Sequence, residues 1–162
     1  MPFVALVEIA PDLARRETRA VVVPAGNPVP AGEYGFIEMF CDEDECDCRR
    51  AFVQIFGPRA ARGDSKPRCL ATISYGWEDL NFYRRWARGS LSESEIANLK
   101  GPALETLNPQ SQHAPALLEL FKWLLADPAY ARRIVRHEKE FRSVLESRRS
   151  SADDTELYRR QG

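Results

Sequence analysis

The chain is poor in the residues that most enzyme sites are built from. It has two histidines in 162 residues. It has neither the glycine-rich lysine loop that cradles nucleotide phosphates nor a Gly-x-Ser-x-Gly nucleophile turn. No nucleophile–base set stands out, so the reading leans away from an enzyme. Net charge is missing too: 23 basic against 24 acidic residues leave a formal charge of -1. That excludes a global attraction to nucleic acid or to an anionic membrane. No run approaches the roughly 20 apolar residues of a membrane span. The first apolar stretch is short, is broken by Glu8 and has no basic lead, so no secretory signal is expected. The expected compartment is the cytoplasm, where clustered cysteines are more often metal ligands than disulfides. No internal repeat is evident.

What is present is concentrated in one stretch, Cys41-Asp-Glu-Asp-Glu-Cys46-Asp-Cys48-Arg49-Arg50. Three of the four cysteines lie there, among five carboxylates. Both flanks, 33–41 and 48–56, read as β-strands. Paired as a hairpin, they set Cys41 opposite Cys48, and cross-strand Cβ atoms lie about 4.5–5.5 Å apart. Cys46 then folds in from the loop, and three thiolates meet as zinc requires. Two other readings stay open: an acidic turn whose thiols bind nothing, and a Cys41–Cys48 disulfide. In the simplest register Phe56 faces Cys69 on the next strand. Cys69 is then about eight residues along the ladder from Cys48, roughly 26 Å away. It reads as a small buried apolar residue. A fourth ligand is left among His113, His137, a loop carboxylate or water.

A chain of this length fits one domain able to bury a good core. The fold expected is α+β, an antiparallel sheet of about five strands packed by three to four helices. Strands are read at 3–10, 18–23, 33–41, 48–56 and 70–75. The loop 57–68 carries Arg59, Arg62, Lys66 and Arg68, and its Arg62-Gly63-Asp64 reads as a solvated turn. The second half is helical. Ser92 with Glu95 forms a capping box for a helix ending at Gly101, and 104–111 reads as a loop. The leucine-rich helix 114–126 needs cover on most sides, from the sheet or from a second copy in a homodimer. Asp127-Pro128 is an N-cap with a proline in the first turn. The helix it opens is expected to reach about Arg149, with Tyr130, Ile134, His137, Phe141 and Val144 or Leu145 as its apolar stripe. His137 reads as a satisfied core histidine, and His113 as capping or packing. Residues 1–149 are expected to form the domain and 150–162 a loose tail.

Two groups of segments resemble an uncharacterised bacterial family. The first is Phe36-Ile-Glu-Met-Phe-Cys41 continuing through Cys46-Asp-Cys48-Arg49-Arg50. The second is Leu70-Ala-Thr-Ile-Ser-Tyr-Gly76, Leu107-Asn-Pro-Gln-Ser111 and Asp127-Pro-Ala-Tyr130. The resemblance implies no activity. It implies only a three-cysteine knuckle at Cys41, Cys46 and Cys48. The similarity to SEC-C-type zinc modules is loose. Those need a further Cys and a Cys or His about eight residues on, where this chain has none before Cys69.

These features favour a zinc-stabilised module that binds another macromolecule, a protein before a nucleic acid. One alternative is an enzyme using an open metal position, with Asp42, Asp44 or Asp47 as base. The other is weak nucleic-acid binding through Arg84, Arg85, Arg88, Arg132 and Arg136, with aromatic neighbours for stacking. Against it, the arginine face of the last helix is salt-laced, and Glu138–Arg142 is an i,i+4 pair.

Overall fold

The computed structural model describes residues 2–58 and 67–160. Most of the 57–68 loop, including Arg59, Arg62, Lys66 and the Arg62-Gly63-Asp64 turn, therefore lies outside the described residues. The fold is α+β. The strands are β1 (Phe3–Ala5), β2 (Arg19–Val23), β3 (Gly32–Cys41), β4 (Arg50–Phe56), β5 (Cys69–Gly76) and β6 (Ala103–Leu104). They form one antiparallel sheet in the order β1-β3-β4-β5-β6, with β2 also paired to β3. The expected facing of Phe56 and Cys69 is observed.

The first expected strand is the main departure. Only Phe3–Ala5 is extended, followed by the short helices α1 (Leu6–Ile9) and α2 (Pro11–Glu17). β1 covers Met39–Cys41 and β2 covers Gly32–Phe36, so the two share one side of β3 end to end. The chain between them must turn back, and a helical pair does so while burying Leu6, Leu13 and Ala14. A short apolar run such as Leu-Val-Glu-Ile does not separate strand from helix by periodicity. The 104–111 segment also differs, because its first residue belongs to β6, which pairs with Ile73 and Ser74.

Strand alternation builds the core. Phe36, Glu38 and Phe40 of β3, Ala51, Val53 and Ile55 of β4, and Ala71 and Ile73 of β5 are all buried. Cross-strand register places them on one face. Helices α5 (Ala114–Leu125) and α6 (Pro128–Arg160) pack on it. Leu117, Phe121 and Leu124 of α5 are buried, and Phe121 stacks on Phe36 and meets Tyr75 edge-on. The sheet thus covers one side of α5, while Trp123 on the other side is 67% exposed. Tyr130, Ile134, His137 and Phe141 form the buried stripe of α6, and Phe141 meets Phe40. Asp127 caps α6 through its carboxylate, which accepts from the Ala129 N–H at 2.9 Å. The helix continues to Arg160, beyond the end expected near Arg149.

Helices α3 (Leu80–Trp86) and α4 (Glu93–Lys100) sit at the end of the sheet where β4 begins and β5 finishes. Asp79 caps α3, and the Ser92–Glu95 capping box opens α4. The fully buried Tyr83 of α3 fixes this end. Its hydroxyl donates to the Arg49 carbonyl at 2.7 Å. A Cβ on Gly76 would lie 2.2 Å from that same oxygen. Gly76→Ala is therefore expected to destabilise the protein by about 1–3 kcal/mol through overpacking. Urea unfolding measures it, and an unchanged midpoint would show that Tyr83 can yield.

Candidate metal centre

The knuckle occupies the turn between β3 and β4. Register runs up to Phe40–Ala51, so the next pair on the ladder is Cys41 with Arg50. Cys41 does not face Cys48 across the ladder as expected. Cys48 lies before the first residue of β4 and folds inward instead. Positive φ at Glu45 (55°) and Arg49 (47°) turns the chain on either side of Cys46–Cys48. These left-handed residues bring all three thiols together: the sulfurs of Cys41, Cys46 and Cys48 lie within 4.8 Å of one another. Sulfurs bound tetrahedrally at about 2.3 Å from one ion stand about 3.8 Å apart, so modest closure suffices. None of the four cysteines is in a disulfide, so the Cys41–Cys48 bridge is not formed.

Several side chains hold the loop. Arg149 of α6 donates to the Asp44 carboxylate and to the Asp42 carbonyl. Arg49 pairs with Asp47 at 2.7 Å and with Glu78 at 3.0 Å, and its guanidinium lies over the Phe82 ring. The Arg49 carbonyl accepts from Tyr83 and from the Trp77 N–H. The knuckle is thus tied to α3 and to α6.

Cys41 and Cys48 are buried, and Cys46 is half-buried. Burial pushes the Cys41 thiol up. Burial, with the charges of Cys46 and Cys41 behind it, pushes Cys48 up to about 12. Without a cation the Cys41 and Cys48 sulfurs are neutral thiols at pH 7. A bound divalent ion reverses that order, because it is the largest local charge. Arg50, two residues beyond Cys48, is 7% exposed. It donates to the Ser74 hydroxyl at 2.6 Å and to the Leu99 carbonyl at 3.2 Å. Among the described residues no carboxylate forms an ion pair with it. A cluster that becomes negative on binding metal gives this buried cation a counter-charge.

The other sequence candidates lie elsewhere. Cys69 pairs with Phe56 at the opposite end of β4, and its thiol contacts the Ala71 carbonyl at 3.4 Å. It is half-exposed rather than buried. His113 occupies the N-cap position of α5 without a side-chain capping bond. Among the described residues no histidine or carboxylate joins the three sulfurs. Of the arginines considered for nucleic acid, Arg84 is paired with Glu93 at 2.7 Å and Arg136 with Glu17 and Glu140. Arg85, Arg88 and Arg132 are exposed.

His137 is a satisfied core histidine, and its partners are what sequence reasoning missed. Nδ1 lies 2.7 Å from Glu38 Oε2, and Nε2 lies 3.1 Å from Glu17 Oε2. Glu38 is 4% exposed. The available signal was Glu38 itself, a carboxylate at an inward position between Phe36 and Phe40.

No family model matches the chain, and no curated protein or solved structure matches it either. Among the described residues no helix is long and apolar enough to cross a membrane. Three clustered cysteines on an α+β scaffold are what define the site.

Proposed function

We propose that the chain is a metal-stabilised interaction module, with zinc held by Cys41, Cys46 and Cys48, whose knuckle presents its acidic loop to a protein partner. The observation that carries it is the convergence of the three sulfurs. Soft thiolates select zinc over hard cations such as magnesium and calcium. Ions held this way turn binding free energy into folding free energy. The anchoring of the loop by Arg149 and Arg49 supports a shaped surface rather than a loose turn. The outward carboxylates Glu43 and Glu45 suit a partner with basic side chains, and such binding weakens with salt.

The test is metal content per chain in protein purified without added metal, together with thiol titration before and after chelation. One zinc per chain is expected. Cys69 should react first and the other three thiols only after the chelator acts. Absence of metal, with all four thiols reacting at once in the native protein, would end the proposal.

A further inference from the structure

A cleft of about 540 Å³ opens beside the knuckle. Cys46 lines it, and Cys46 is the one of the three cysteines that is not fully buried. Phe82, Trp86, Arg85 and Arg88 of α3 and its C-terminal turn form the facing wall. Three sulfurs leave one place in a tetrahedral shell. Among the described residues no further histidine, cysteine or carboxylate reaches it. Cys41 and Cys48 close the inner side, so the accessible side of the shell is that of Cys46.

We infer that the fourth coordination place opens into this cleft and takes a neutral imidazole-type nitrogen donor from outside the chain. The inference rests on the metal reading above. Charge selects the donor. A divalent ion with three thiolates carries one net negative charge. Arg149 is paired with Asp44, Arg49 with Asp47 and Glu78, and Arg142 with Glu138. The one buried cation left for that charge is Arg50, which has no ion pair among the described residues. A thiolate or carboxylate ligand would add a second negative charge beyond the one that Arg50 offsets. A neutral ring adds none, and the aromatic faces of Phe82 and Trp86 can stack on it. The same ring could come as a free small molecule or as a histidine of another protein.

Cobalt(II) loaded in place of zinc gives sulfur-to-cobalt charge-transfer and visible ligand-field bands that read the shell directly. Imidazole, the peptide Gly-His-Gly and 2-mercaptoethanol are each titrated into the loaded protein. The expected result is a saturable shift of the ligand-field bands with imidazole and with the peptide, and a weaker response to the thiol. A tighter response to the peptide assigns the donor to a protein histidine; a tighter response to imidazole assigns it to a small molecule. Trp86→Ala, read per cobalt bound, should weaken the nitrogen-donor response by roughly two- to tenfold. Charge-transfer bands that appear but ignore both nitrogen donors would overturn the inference and leave the metal reading standing. An unchanged response in Trp86→Ala would also overturn it, by removing the cleft from the site. Absence of any charge-transfer band would overturn the metal reading, and this inference with it.

Discussion

Replacing His137 by leucine is expected to destabilise the protein by about 3–5 kcal/mol, the range for breaking one side of a buried ionic pair. The ring is fully buried and both of its nitrogens face carboxylate oxygens. Only the imidazolium has two N–H donors, so the charged form satisfies both. Without it Glu38 keeps a buried carboxylate whose Oε1 already has no hydrogen-bond partner among the described residues. Glu17 loses less, because Arg136 still binds it. The double variant Glu38→Leu with His137→Leu should recover most of the loss, since two apolar side chains can replace a buried pair at little cost. Urea midpoints of both single variants and the double variant give the coupling. If the single and double losses simply add, the pair carries no coupling energy.

The same pair sets a pH dependence. Burial pulls the His137 imidazole down, but the hydrogen bond and charge of Glu38, aided by Glu17, outweigh it and leave the ring raised. A raised histidine contributes stability that is complete below its unfolded value near 6.5 and is lost as pH rises through the folded value. Glu17 acts in the opposite direction. Hydrogen bonds from Arg136 and then His137 hold it down to about 2. Its contribution is complete above about 4.5 and fades as pH falls toward 2. Arg136 near Glu17, raised by its carboxylate partners, and Tyr130, raised by burial and then by the charge of Glu38, keep their charge states across this window. Stability should therefore plateau between about pH 4.5 and 6.5 and decline on the alkaline side. The alkaline decline should be absent in the Glu38/His137 double-leucine variant.

Cys48→Ala is expected to abolish stoichiometric metal, whereas Cys69→Ala should leave metal content at the wild-type level. Cys48 is buried within the sulfur cluster, and Cys69 lies at the far end of β4. Where free metal exceeds its Kd about a thousandfold, the stability linked to binding is about 4 kcal/mol. Chelating the wild-type protein should therefore lower its thermal midpoint, while Cys48→Ala should be insensitive to chelator. Elemental analysis and paired thermal scans decide it. Equal metal content in the two variants would show that the ion is held elsewhere.

The sequence alone determined what depends on neighbours in the chain. Alternation and β-branching marked β2 to β5. The Ser92–Glu95 and Asp127-Pro128 signals marked two helix starts, because a cap involves only residues within one turn. The Cys-x4-Cys-x-Cys spacing marked the knuckle, because three thiols within one turn can meet locally, although left-handed backbone at Glu45 and Arg49 gathers them rather than the expected cross-strand pairing. Tertiary structure decided the rest. Leu6–Ile9 is helical because β2, from further along the chain, takes the rest of that side of β3. Glu38 faces inward in the strand pattern, but its neutralisation by His137 spans 99 residues. That pairing exists only once α6 lies on the sheet. The half-burial of Cys46, beside the cleft it shares with Phe82 and Trp86, depends on where α3 docks. That position is set by Tyr83 packing against Gly76 and Arg49, contacts between segments that no local periodicity connects.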